Sequence, residues 1–338
     1  MWKTKGHDSI IDFIKYSIES DRLAHAYLIS GTSYIGKTTL AFDIARAVNC
    51  LEFMKHNAPC GECKTCLRII NNIHTDIHFL DFLNFTSSPI EQLRENFISK
   101  VNKKPYEGGS QVFIISHVDK MRSEHANLLL KTLEEPPQDV VIILMCEDTS
   151  MILDTILSRC QILELYPVLD PAFLEKLIAV AAGTFFPDSL DPKLIVRLSR
   201  GRIGWIYRVI SDPEIFFSMQ KLFDDMEFAI ETSVEDRLKF SNGLVKKNKT
   251  IQFDGFSDID IMLTWWRDLM MLSVGNKSDV ININRLDYLE NISSHFSTGQ
   301  IVDVIKMFNL AKFNLSINAN PLLVYDNLLL NIPSKDYK

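Results

Sequence analysis

No stretch of this 338-residue chain approaches the ~18 consecutive apolar residues that a bilayer-crossing helix needs. The longest clean apolar run, VVIILMC at 140–146, has the length of a buried strand. The opening MWKTKGHDSIIDF has no apolar core of a secretory signal, so the expectation is a cytoplasmic protein with no membrane contact. Positive charge is also scarce. Thirty-six Lys and Arg against 43 Asp and Glu leave a net charge of −7. Gripping nucleic acid unaided takes clustered Lys and Arg, so protein partners are the better expectation. The small basic group Lys100, Lys103 and Lys104 reads as a solvated loop. Internal repeats and low-complexity tracts are missing too. What remains is 46% hydrophobic and 23% charged, an ordinary globular mixture, and its length calls for two or three domains.

Hydrophobic periodicity divides the chain. Ile10, Ile11, Ile14 and Ile18 recur at helical spacing over 8–20, with Asp8 or Ser9 as N-cap. Short apolar runs at 24–30, 76–82, 111–116 and 139–147 read as strands. Between them lie helical patterns, including 88–102, opened by Ser-Pro, and the stretch SEHANLLLKTLEEP, stopped by Pro136 and Pro137. Strands alternating with helices predict a parallel sheet covered on both faces. Near Tyr166-Pro167 the pattern turns mostly helical. Two segments there open with Asp-Pro and stop near Gly. From about 213 long helical patterns dominate, such as DIDIMLTWWRDLMMLSVG.

Four groups of residues carry chemistry. The first is Gly31-x4-Gly36-Lys37-Thr38, with Ile35 and Thr39 alongside, set between a strand and a helix. Glycines let successive backbone N–H groups turn onto phosphates, Lys37 adds a cation, and Thr38 offers a hydroxyl to Mg²⁺. The second is Cys50, Cys60, Cys63 and Cys66. In a reducing compartment such a cluster points to metal, and four thiolates suit a closed structural zinc site rather than a catalytic one. Reduced, unligated thiols are the bland alternative.

The third group concerns hydrolysis. P-loop ATPases end the strand corresponding to QVFII with an acid for Mg²⁺, and many add a second to orient the attacking water. Here Ser116 and His117 stand in those places. Asp119 lies three residues on, too far along the chain to replace Ser116 directly. Glu134, Glu135 or Glu147 are acids that three-dimensional structure can bring to the site. Finally, Arg159 in TILSRCQ follows the last buried strand, at the domain edge. It is either a solvated surface arginine or a finger toward a neighbour's γ-phosphate.

Taken in order, HAYLISGTSYIGKTTLAFDIARAVNC, PCGECKTC, KPYEGGSQVFII, HANLLLKTLEEPP and TILSRCQ resemble the clamp-loader ATPases of bacterial DNA polymerase III, members of the wider AAA+ family. The likeness is strong over about 5–165 and weaker through LSRGRIGWIYRVI, WWRDLMML and NANPLLVYDNLLLNI. It implies a RecA-like P-loop domain at 1–166 with a zinc module at 50–66. It further implies a three-helix lid at 167–212 and an all-α collar at 213–338. Within the family, the length, the Ser116-His117 departure and WWRDL match the delta-prime, or stator, branch. The intact P-loop leaves the gamma/tau motor branch as the alternative.

By the same resemblance, Arg159 acts in trans as an arginine finger, and Cys50, Cys60, Cys63 and Cys66 bind zinc. Gly31, Ile35, Gly36, Lys37, Thr38 and Thr39 hold ATP with Mg²⁺, with little or no hydrolysis by this chain. The position of the first sensor residue falls at Cys146 or Glu147. That of the motor's second sensor arginine falls near Gly204, with Arg200 and Arg202 close by. The implied partners are gamma/tau motor subunits and a delta subunit in a heteropentamer, and through it the beta sliding clamp and primer–template DNA in the replisome.

Overall fold

The computed structural model describes residues 1–85, 88–183, 190–248 and 257–333. Parts of the expected collar, 249–256 and 334–338, lie outside these described residues. The chain forms two compact units, Met1–Val168 with Arg202–Gly204, and Leu169–Gly201 with Trp205–Lys338.

The first unit is built on five parallel strands: β1 (Ala26–Ser30), β2 (Ile77–Asp81), β3 (Gln111–Ser116), β4 (Val140–Cys146) and β5 (Gln161–Glu164), in the spatial order β2-β3-β4-β1-β5. Side chains alternate across a strand, and in β1, β3 and β4 both sets are buried. Tyr27, Ile29, Val112, Ile114, Val141 and Ile143 face a core shared with helices Asp8–Glu19 and Lys37–Asn49. Leu28, Phe113, Ile115, Ile142 and Leu144 face the other core, shared with Leu93, Phe97, Leu129 and Leu133. Each such side chain removed from water contributes about 1.5–3 kcal/mol, which is why these strands read as unbroken apolar runs.

Three local details depart from the sequence expectations. His7, rather than Asp8 or Ser9, stands at the N-cap of the first helix. The helical stretch 88–102 is interrupted by a π-helical turn at Arg94–Ile98. The strand β5 was not expected at all. It is an edge strand of four residues, of which only Leu163 is buried, so no apolar run announces it.

Among the described residues, the regular elements of the second unit are all helices. Helices Pro171–Ala182 and Pro192–Ser199 open with Asp170 and Asp191, whose carboxylates accept the backbone N–H groups of Ala172 and Lys193 at 3.0 and 2.9 Å. Each has proline at the first helical position, where no N–H is needed, as the Asp-Pro signals predict. Helix Asp258–Ser273 carries a capping box between Ser257 and Asp260 and buries both Trp265 and Trp266. Trp265 Nε1 donates to Glu227 at 2.9 Å, so its one polar atom is satisfied inside the core. Asp268 is buried as well, and accepts the backbone N–H groups of Ile281 and Asn282 at 3.0 and 2.8 Å, pinning that loop to the helix.

Candidate nucleotide and metal sites

The loop after β1 closes around Gly36, which sits at φ +116° and heads the helix Lys37–Asn49. That backbone angle suits glycine and lets the first N–H groups of the helix point outward together. Lys37 folds back on the loop, its ammonium donating to the carbonyls of Gly31 at 2.6 Å and Thr32 at 3.0 Å. Ile35 is buried beneath, its carbonyl 3.3 Å from His7 Nε2, while Thr38 and Thr39 are exposed. The helix is anchored from behind by Asp43. Its carboxylate pairs with Arg46 and accepts Lys3 N at 2.8 Å, Thr4 N at 2.7 Å and Thr4 Oγ1 at 2.8 Å.

Several groups gather at the same end of the sheet. Cys146 lies opposite Ser30 across β4 and β1, so the loop begins beside it. Burial pushes the Cys146 thiol up to about 12 and keeps it neutral, with the nearby carboxylate of Asp119 acting in the same sense. Ser33 donates its hydroxyl to Glu147. Burial lowers the Lys37 ammonium from its usual value, and the carboxylates of Glu147 and Asp119 work against that shift. Of the three glutamates weighed from the sequence, only Glu147 reaches the P-loop. Glu134 pairs with Arg159 at 2.7 Å. Glu135 lines a separate cavity of about 580 Å³ with Arg94 and Lys131.

The end of β3 is occupied differently from the expectation of two acids. Asp81, which ends β2 directly opposite Ser116, accepts the Ser116 hydroxyl at 2.9 Å and lies 2.7 Å from His117 Nδ1. Burial alone raises the Asp81 carboxyl, but its bonds to His117, Ser116 and the Leu83 N–H outweigh that and bring it below its usual value. Asp81 was missed from the sequence because its position depends on the β2–β3 register. His117 adopts φ +57° and turns the chain into Val118–Lys120. This turn brings Asp119 back, so distance along the chain is a poor guide to its place.

The segment Arg202–Gly204 also belongs to the P-loop unit. The Gly204 N–H donates to Tyr34 O at 2.8 Å, and a Cβ at Gly204 would stand 2.6 Å from that oxygen. A side chain therefore does not fit where the motor's second sensor arginine falls. Arg202 is buried, whereas Arg200 lies in the other unit and donates to Thr264 Oγ1 at 2.6 Å.

The cysteine cluster begins at Cys50, the C-cap of the P-loop helix. The four sulfurs of Cys50, Cys60, Cys63 and Cys66 all lie within 4.8 Å of one another, and those of Cys60 and Cys66 are 3.9 Å apart. A tetrahedral ion with metal–sulfur bonds of ~2.3 Å separates its sulfurs by about 3.8 Å, so the donor set fits a metal ion. Backbone N–H groups of Cys60, Cys63 and Cys66 point at the sulfurs of Cys50, Cys60 and Cys63 at 3.3, 3.3 and 3.4 Å. Such donors stabilise thiolates, the form that binds metal.

Arg159 stands just before β5. Its guanidinium is one-third exposed and also donates to the Thr155 carbonyl at 2.8 Å and Ser158 Oγ at 3.2 Å.

A parallel five-stranded sheet with its P-loop after the fourth strand in spatial order, followed by a helical region, is the architecture of a P-loop AAA+ protein. A family model described as DNA polymerase III, delta subunit, matches residues 6–168. DNA polymerase III subunit delta' of Bacillus subtilis (strain 168) is 30% identical over 95% of this chain and 94% of its own length. The chain belongs to this delta-prime family. DNA polymerase III subunit tau/gamma of Haemophilus influenzae is 37% identical over 46% of this chain, but over only 22% of its own length. A solved Thermotoga maritima structure, described as a DNA polymerase III gamma subunit-related protein, superposes with a TM-score of 0.46. It has 17% identity and covers 95% of this chain and 97% of that one.

Proposed function

We propose that this chain is the stator of a clamp-loader heteropentamer and completes a neighbour's ATP site rather than running its own. The observation that carries this reading is the state of Asp81, Ser116 and His117. Where hydrolysing P-loop sites set two acids at the end of the third strand, this chain sets a hydroxyl and an imidazole, both bound to a third residue. Arg159, one-third exposed and held by Glu134, supplies its guanidinium to the γ-phosphate held by a gamma/tau motor subunit. A delta subunit completes the ring, which loads the beta sliding clamp onto primer–template DNA in the bacterial cytoplasm.

Two cofactors belong to this reading. Cys50, Cys60, Cys63 and Cys66 hold zinc, which when bound supplies a tetrahedral cross-link between the P-loop helix and the following loop and has no open coordination position. Gly31, Ile35, Gly36, Lys37, Thr38 and Thr39 would hold ATP with Mg²⁺, the loop's backbone N–H groups and the Lys37 ammonium, now on the carbonyls of Gly31 and Thr32, being the donors available to phosphates. The helical unit divides into a three-helix lid at 167–212 and a collar at 213–338 that closes the pentamer.

Mixing the purified chain with gamma/tau and delta subunits and following the mixture by size-exclusion chromatography tests the assembly directly. A single complex containing all three is expected, and persistent separation of this chain from the others would sink the proposal. An active motor subunit is the second reading. It is favoured by the complete P-loop and by the charge of Asp119 acting on Lys37.

A further inference from the structure

Among the described residues, Asp119 is the one acid near the P-loop whose carboxylate is both deeply buried and incompletely used. It is 6% exposed, and among the described residues its Oδ1 makes no hydrogen bond. Its Oδ2 lies 3.2 Å from the ammonium of Lys120, which is itself mostly in solvent. Leaving a buried acceptor unsatisfied costs roughly 1–3 kcal/mol, and more when it is charged, so such an atom invites a partner.

Its place in the sheet says which partner. β4 lies between β1 and β3. On one side Cys146 pairs with Ser30, and Gly31 opens the P-loop. On the other, Leu144 pairs with Ile115, one residue before the end of β3. After Ser116 the left-handed turn at His117 folds Val118–Lys120 against β4 and against the turn Thr149–Met151. The Asp119 carboxylate therefore arrives over the same end of β4 as the P-loop. Its charge acts on both Lys37 and Cys146. Of the other acids at this end, Asp81 already serves Ser116, His117 and the Leu83 N–H, and Glu147 is exposed and takes the Ser33 hydroxyl.

We propose that Asp119 is the carboxylate through which this P-loop takes a divalent cation together with its nucleotide, in place of the serine that ends β3. The inference rests on the nucleotide site proposed above and adds to it the identity of the cation's anchor. Mg²⁺ takes oxygen ligands, keeps several waters, and needs only one or two carboxylates beside the phosphates. A buried Asp with a free oxygen meets that need. The chain then retains Mg-nucleotide without the two-acid arrangement that hydrolysis uses.

The test is equilibrium binding of a fluorescent ATP analogue to the full chain, with excess Mg²⁺ and with EDTA. Native protein is expected to bind about tenfold more tightly with Mg²⁺. Asp119→Asn is expected to lose that enhancement while its Mg-free affinity holds or rises. Ser116→Ala is expected to keep the enhancement. An Asp119→Asn protein with the native Mg²⁺ enhancement overturns the inference and leaves the nucleotide site standing. Native binding that is indifferent to Mg²⁺ does the same. No binding under either condition overturns the nucleotide site and the inference together. Thermal unfolding of the variant verifies its fold. Should Asp119→Asn not fold, Asp119→Glu replaces it: a changed ratio of Mg²⁺ to Mn²⁺ enhancement supports the anchor, and an unchanged ratio refutes it.

Discussion

The Arg159 guanidinium is tied to the Glu134 carboxylate at 2.7 Å, across the gap between the LEEPP end of one helix and the start of β5. The bond holds the arginine at the unit's edge without burying it. An exposed pair of this kind is worth about 0–1 kcal/mol, so a phosphate that needs the guanidinium can take it. Arg159→Ala is expected to lower ATP hydrolysis by the reconstituted complex by about 10³–10⁵-fold. The isolated chain's stability should change by no more than about 0.5–1 kcal/mol. Steady-state hydrolysis and denaturant unfolding read the two effects separately.

The metal site predicts composition as well as stability. Close to one zinc per chain should be found by elemental analysis. Removing it with a chelator should speed hydrogen exchange over 50–73 first, because metal binding there is part of folding that segment. Cys66→Ser, at the buried member of the set, should lose the metal altogether.

Glu107 gives a pH-dependent prediction. It accepts Arg68 Nη2 at 2.9 Å, Thr75 Oγ1 at 2.6 Å and Thr75 N at 3.1 Å, tying the PYEGG loop to the segment after the cysteine cluster. The Thr75 hydroxyl leads the interactions that bring its carboxyl from the usual 4.5 down to about 2. A carboxyl lowered in the folded state stabilises fully above its unfolded value, and that contribution is lost as pH falls through the folded one. Stability should therefore decline from about pH 4.5 toward 2, and Glu107→Gln should flatten that part of the curve. Urea unfolding of both proteins across this range checks it.

At Gly204 the close approach to Tyr34 O predicts intolerance of any side chain. Gly204→Ala should destabilise the P-loop unit by about 1–3 kcal/mol, the usual range for forcing an extra group into a packed contact. Gly204→Arg, which restores the motor's residue type, should cost at least as much. Thermal unfolding is the measurement.

The sequence disclosed what depends on local pattern. The P-loop shows itself through Gly31, Gly36 and Lys37 between a strand and a helix. The metal cluster shows itself through cysteine spacing, and β1, β3 and β4 through apolar runs buried on both faces. What it concealed depends on register and on backbone angles. Asp81 meets Ser116 only because β2 and β3 pair in that register. The turn that folds Val118–Lys120 against β4 depends on a left-handed His117, which is invisible in a residue string. The edge strand β5 escaped because solvent covers most of it. Glu134 looked like an acid for the P-loop, but long-range packing gives it to Arg159.

The central claim is that this chain completes another subunit's ATP site without turning over ATP itself. Steady-state ATP hydrolysis should be measured for the purified chain alone and then mixed with a gamma/tau motor subunit. Silence alone, with a rise in the partner's rate that Arg159→Ala removes, is the predicted result. Turnover by the isolated chain that disappears with Lys37→Ala would contradict it and make the protein a motor.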